Sequence, residues 1–140
     1  MLTPDMRAVI QSAHLCFAAT VTPDGRPNVS PKGTIRVWDD THLFFLDIAS
    51  PGTRTNLAHA PLLELNVVDQ LSRRGYRFSG RATLYLPDSV VYADGVRRVY
   101  DATLPADPRH RPFLRCARIK PTSRGLEDDH ANSSRKRSLP

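Results

Sequence analysis

Residues 50 to 57 read SPGTRTNL: a serine, a proline and a glycine, then a threonine, an arginine and an asparagine spaced along the next turn. Ser50 is placed to cap a helix, Pro51 suits the first helical position, and Pro61 stops the helix after about two turns. The first N–H groups of such a helix lack intrahelical partners and carry about half a unit of positive charge. Gly52 leaves the backbone open to close approach, the Ser50 and Thr53 hydroxyls donate hydrogen bonds, and Arg54 adds a forked full charge. Upstream, NVSPKGTIRVW carries Lys32, with Pro31 and Gly33 marking either a bulge or a place where another group comes close to the backbone. If Lys32 faces the helix mouth across one groove, the two together hold a phosphate monoester. Singly, Ser50 reads as a cap, Lys32 and Arg36 as solvated charges, and Thr53, Arg54 and Asn56 as ordinary first-turn residues. The phosphate reading rests on their combination.

Other chemistries find no such grouping in the sequence. Cys16 and Cys116 lie far apart, lack a CxxC partner and sit among apolar residues, which reads as two buried thiols in a reducing compartment. His14, His42, His59, His110 and His130 are scattered without ligand spacing, so no metal is expected. There is no Ser-His-Asp or Cys-His pattern to supply a nucleophile.

The elements that must position these residues follow from periodicity. LTPDMRAVIQSAH is a first helix, capped by Thr3, with Met6, Val9, Ile10 and Ala13 on one face. LCFAATVT and NVSPKGTIRVW are strands joined by the PDGRP turn, where Asp24-Gly25 favours a tight hairpin. HLFFLDIA is a strongly apolar third strand, LLELNVVD a fourth with Leu63, Leu65 and Val67 alternating, and YRFSGRATLYL a fifth with Tyr76, Phe78, Ala82 and Leu84 alternating. PDSVVYADGVRRVYDAT reads as a helix with Val90, Val91, Val96 and Val99 as its apolar residues. PFLRCARIKP reads as the last strand, with Phe113, Cys116 and Ile119 as core candidates. Short strands at close spacing, with turns between them, make a small β-barrel with helices packed outside.

The 140 residues allow one domain, and 40% hydrophobic with 24% charged residues is ordinary for a globular chain. No apolar run spans a bilayer and the start lacks the pattern of a secretion signal, so the expected location is cytoplasmic. The net charge of +6 raises the question of nucleic acid, but much of it lies near the C-terminus, in RHRPFLRCARIK and SSRKRSLP. Residues 1–122 are expected to form the domain and 123–140 a disordered basic tail. Such a tail is weak ground for a nucleic-acid site.

The stretch FAATVTPDGRPNVSPKGTIRVWDDTHLFFLDIASPGTRTNLAHAP resembles the FMN-binding split-barrel family related to pyridoxamine 5'-phosphate oxidase. The likeness lies in the order T-x-x-DGxPxVxPKGT, an apolar strand, SPxTRxNL and a following proline, with GYRFSGRATLY as the next strand. It runs from the first helix to Tyr85 and more loosely to the last strand. The resemblance implies a mainly β fold, a six-stranded antiparallel split barrel with flanking helices, working as a homodimer with FMN between subunits. Lys32, Gly33 and Thr34 would lie along the flavin; Ser50, Thr53 and Arg54 would lie near its phosphate, with Asn56 bracing that turn. Tyr76 and Phe78 would belong to the strand lining the dimer groove. In many relatives a lysine stands where this chain has Thr53, so phosphate binding here would rest on Lys32, Arg54 and backbone donors.

The expected activity is that of an FMN-dependent oxidoreductase, passing electrons from a reduced nicotinamide or similar donor to a small-molecule acceptor, with Arg36 orienting an anionic substrate. The basic, aromatic C-terminal segment that holds pyridoxal phosphate in the true oxidase has no match here, so vitamin B6 oxidation is not expected. The alternative is a binding protein without turnover for a flavin, a deazaflavin or haem, with His59 as the nearest candidate for an axial haem ligand. Nucleic-acid binding through the basic C-terminal region is the third reading, and a membrane partner is not expected.

Overall fold

A computed structural model describes residues 1–13, 15–100, 115–121 and 127–128. Helix α1 (Pro4–Ala13) opens the chain, followed by β1 (Cys16–Val21), β2 (Pro27–Lys32), β3 (Arg36–Val37) and β4 (Leu43–Asp47). Helix α2 (Pro51–His59), β5 (Leu62–Asp69), β6 (Arg74–Tyr85) and α3 (Val90–Tyr100) come next, and β7 (Arg115–Pro121) and β8 (Glu127–Asp128) complete the described elements. The sheet runs β2-β1-β5-β6-β7-β4-β3, with every pairing antiparallel, and β8 pairs with β6 across Tyr76 and Arg77. Apart from the two-residue β3 and β8 these are the six strands the sequence reading anticipates. The barrel is split: its end strands, β2 and β3, are not paired with each other.

Local chemistry explains the elements. Thr3 Oγ1 accepts the Met6 N–H and caps α1, whose Met6, Val9 and Ile10 are buried at the bottom of the barrel. The hairpin turn uses Gly25 at φ +86°, a left-handed conformation that favours glycine, with the Thr22 hydroxyl accepting the Arg26 N–H. The stretch expected as one second strand divides at Gly33 and Thr34, so the chain leaves β2 and rejoins the sheet on the far side of the split as β3. Pro27 and Pro31 lie on β2, whose outer edge pairs with no strand among the described residues, and prolines are suited to such an edge because they have no N–H to offer a stray strand.

β4 is buried at every position because it is covered on both faces. Leu43 and Phe45 point into the barrel core with Leu65, Phe78 and Ile119, while Phe44 and Leu46 join Tyr92 under α3. In α3 the buried residues are Tyr92 and Gly95; Val91, Val96 and Val99 pack at the edge of this second cluster. Val90, expected among the apolar contacts, is 82% exposed, because the helix presents its 91–92, 95–96 and 99 stripe to the sheet. Phe113 and the side chain of Cys116, core candidates from sequence, lie outside what is described, as does the expected tail apart from Glu127 and Asp128.

Replacing Phe78 by alanine empties a fully enclosed position and is expected to cost about 3–5 kcal/mol in urea denaturation, whereas Val90→Ser stays within about 0.5 kcal/mol of the parent.

Candidate functional site

The inward faces of β1 and β2 change character along their length. Cys16 and Ala18 face the core, but Thr20 is followed across the ladder by Asn28, and Ser30 and Lys32 alternate on the same face of β2. Helix α2 packs over this polar half, and its own inward residues are Thr53, Asn56 and Leu57, spaced for one helical face. Leu57 anchors it in the core, and Asn56 Nδ2 donates to Thr20 Oγ1 at 2.9 Å, fixing the helix on β1.

Lys32 sits at the centre of the cluster with a side chain only 3% exposed. Its Nζ donates to Ser30 Oγ at 2.6 Å and Ser50 Oγ at 2.5 Å, and lies 3.3 Å from Asp47 Oδ1 and 5.5 Å from the Phe45 ring centre. The Ser30 and Ser50 hydroxyl oxygens are themselves 2.9 Å apart. Asp47 continues the inward parity of Leu43 and Phe45, so the last residue of an apolar strand delivers a carboxylate to the interior. Its second oxygen lies 3.6 Å from Arg54 Nε, and Arg54 is the member of the group that reaches towards solvent, with a quarter of its side chain exposed. Among the described residues neither Asp47 oxygen nor Thr53 Oγ1 has an aligned hydrogen bond, although all three are buried. Burial lowers the Lys32 pKa, and Asp47 opposes that shift. Burial also pushes the neighbouring Cys16 thiol up to about 12, against the pull of Lys32, which makes it an inert core group.

The structure thus brings Lys32, Ser50, Thr53, Arg54 and Asn56 into one cluster. Ser50 stands at the N-cap position with φ −123°, but its side chain makes no capping hydrogen bond, because the hydroxyl is turned to Ser30 and Lys32. Gly33 is exposed in the turn after Lys32. The Thr34 hydroxyl donates to the Leu46 carbonyl and accepts the Leu46 N–H, both at 2.9 Å, taking the place of a strand partner before β3 begins. Arg36 donates to the Ile35 carbonyl at 2.7 Å.

Tyr76 and Phe78 are not brought to the cluster as a surface. Both are buried in the core of the single chain, and the Tyr76 hydroxyl donates to Asp5 on α1, which also accepts from Arg74. The residues of β6 that face outwards alternate with them, at Arg77, Ser79 and Arg81. His59 is exposed in the last turn of α2, at the opposite end of the helix from Ser50.

Asp47, Ser30, Thr20 and Asn28 belong to the site and were not singled out from sequence. The period-2 spacing of Ser30 and Lys32 was a legible signal, as was a lone acid at the end of HLFFLD. Thr20 and Asn28 needed the hairpin register.

A helix mouth of this kind fits an anionic head group. At its surface are Pro51 and Gly52, where a Cβ on Gly52 would meet only Asn28 Nδ2 at 3.6 Å. Within the Lys32–Ser30–Ser50 ring, Lys32 donates to both hydroxyls and one hydroxyl can donate to the other. The hydrogen of the remaining hydroxyl is left for an acceptor outside the ring. Among the described residues no group of three or more His, Cys, Asp or Glu side chains could hold a metal ion.

The profile of the pyridoxamine 5'-phosphate oxidase family matches residues 2–124. The fold is similar to that of HupZ from Group A Streptococcus, at 26% identity over 87% of this chain and 90% of that one, with a TM-score of 0.71. HutZ, the haem storage protein from Vibrio cholerae, is 20% identical over 91% of this chain and 94% of that one, with a TM-score of 0.69. A pyridoxamine 5'-phosphate oxidase-related, FMN-binding protein from Nostoc punctiforme is 18% identical over 86% and 81%, with a TM-score of 0.66. No curated protein sequence matches the chain.

Lys32→Met leaves the buried Asp47 carboxylate with only the more distant Arg54 among the described cations and is expected to cost about 3 kcal/mol. Combined with Asp47→Asn, the loss should fall short of the sum of the two single losses by about 1–3 kcal/mol in urea denaturation, the signature of a direct pair.

Proposed function

The chain belongs to the pyridoxamine 5'-phosphate oxidase family, and we propose that it is an FMN-binding oxidoreductase with the nucleotide's phosphate at the mouth of α2. The observation that carries this reading is the cluster at the barrel split. An exposed helix N-terminus stands beside a serine pair polarised by a buried ammonium, with Arg54 at the rim.

Bound FMN would supply hydride or single-electron chemistry through its isoalloxazine ring. The residues of this chain bind and orient. The Gly52 and Thr53 N–H groups and the Ser50 hydroxyl face the phosphate position, and Arg54 adds charge. Lys32 acts one hydroxyl behind the mouth: it fixes the Ser30 and Ser50 oxygens as acceptors and so turns a hydroxyl hydrogen outwards. Thr34 and Gly33 shape the turn beside the mouth, Thr34 by closing the edge of β4. Arg36, on the short β3, is the candidate for orienting an anionic substrate.

We propose further that two chains associate through the outer face of the β1–β2 hairpin. Phe17, Val21 and Val29 are exposed there, and in register Phe17 lies opposite Pro31, Ala19 opposite Val29 and Val21 opposite Pro27. Three consecutive apolar pairs on one exposed sheet face are what an interface between copies requires. The same strand, β2, carries Ser30 and Lys32 on its other face. The haem alternative has less support, because His59 projects from the far end of α2. No helix among the described residues is long and apolar enough to cross a membrane.

The protein loaded with FMN should be yellow and oxidise a reduced nicotinamide, followed at 340 nm; bound flavin without that oxidation marks a carrier instead. Gly52→Glu, which places a carboxylate at the mouth without disturbing packing, should weaken FMN binding at least about tenfold at an unchanged Tm. In sedimentation velocity the parent should run as a dimer and Val29→Glu as a monomer; a monomeric parent would refute the interface.

A further inference from the structure

We infer that Asn28 is a further ligand-binding residue of this site, its side-chain amide turned outwards by Thr20 and Asn56 to donate to the phosphate at the mouth of α2. The inference rests on the flavin reading above. Asn28 and Ser30 are successive residues on the inward-turned face of β2, and each meets one residue at the start of α2. Ser30 Oγ lies 2.9 Å from Ser50 Oγ, and Asn28 Nδ2 stands 3.6 Å from the point a Cβ on Gly52 would occupy. Beyond the helix itself, no other atom of the described residues comes within 4 Å of that point, so the Asn28 amide alone borders the open space over Gly52.

A buried relay sets which end of that amide faces the mouth. Asn56 Nδ2 donates to Thr20 Oγ1 at 2.9 Å, and Thr20, opposite Asn28 in the ladder, donates to Asn28 Oδ1 at 3.4 Å, long for such a bond. The Thr20 oxygen already accepts from Asn56, and a hydroxyl carries one hydrogen, which the Asn28 oxygen takes. An Asn28 amide turned the other way would leave that hydrogen without this acceptor. Among the described residues nothing accepts from Asn28 Nδ2. The helix brings the Gly52 and Thr53 N–H groups to the same opening, since Pro51 has none and that of Arg54 goes to the Ser50 carbonyl at 3.2 Å. Phosphate oxygens only accept, so a wall that offers N–H groups and turns its carbonyl oxygen inwards is matched to them. Asn28 is thus a binding residue, and Thr20 and Asn56 are positioning residues that act through it.

The test is flavin fluorescence quenching with FMN and with riboflavin, which lacks the phosphate, on the parent and on variants of Asn28 and Thr20. Asn28→Ala should weaken FMN binding about tenfold, and Asn28→Asp, which sets a carboxylate of the same shape in the same place, about thirtyfold or more, while riboflavin stays within about threefold in both. Thr20→Val, which keeps the shape and removes the hydroxyl, should weaken FMN about threefold in the parent and add nothing to Asn28→Ala, and Thr20→Ser should restore the parent value. FMN binding that both Asn28 variants leave within about twofold of the parent, or a loss that riboflavin shares equally, overturns the inference and leaves the flavin site standing. A Thr20→Val that costs FMN as much with the Asn28 amide removed as with it present overturns the positioning role. Should Asn28→Asp not fold, Asn28→Ala decides alone. Failure of the parent to bind FMN overturns the flavin reading together with the inference.

Discussion

An ion pair across an open seam governs this fold. β2 and β4 face one another at the split without backbone pairing, and the pair formed by Lys32 and Asp47 spans it inside the barrel. Two buried charges of opposite sign are costly to enclose and far more costly to leave single, so each requires the other to stay in place. The consequence is geometric. β2 cannot drift from β4 without stranding a charge, and the Ser50 hydroxyl, held by Lys32, ties the start of α2 to the same seam. Thr34 completes the closure by taking both backbone groups of Leu46 where no strand is present to do so.

From this seam the rest of the polar cluster follows. Helix α2 has a weakly apolar inward face, Thr53 and Asn56 beside Leu57, and would be a poor choice to cover a hydrocarbon core. It covers instead the polar end of the β1–β2 hairpin, where Thr20, Asn28 and Ser30 meet it. The same short helix thus closes the barrel and leaves Gly52 of its first turn exposed. The two roles coincide because the residues that satisfy its inward face leave its first turn exposed at Pro51 and Gly52.

Much of this was legible beforehand where one strand or helix decides the matter alone. The alternation of Leu63, Leu65 and Val67, the Thr3 cap, the Asp24-Gly25 turn and the start of α2 at Pro51 each depend on neighbours in the chain, and each stands as read, although the Ser50 hydroxyl is drawn away from capping by Ser30 and Lys32. Tyr76 and Phe78 show where that reasoning ends. Their alternation placed them on one face of β6, but whether that face lined a groove or the core depended on α1 lying beneath it, with Asp5 taking the Tyr76 hydroxyl. Val90 was apolar and helical, yet outside the stripe that α3 lays on β4.

The sequence by itself determined the six principal strands, the three helices and the family, because periodicity, turn chemistry and motif order are local properties of the chain. Only the tertiary structure decided what the charges do. Lys32 and Asp47 are fifteen positions apart and lie on strands that are not neighbours in the sheet. Their pairing is set by the inward parity of β2 and β4 and by the width of the split, and a charge whose partner is chosen across a gap cannot be assigned from its neighbours in sequence. A lysine that reads as a phosphate ligand is, in the folded chain, a buried strut holding the serine at the start of α2.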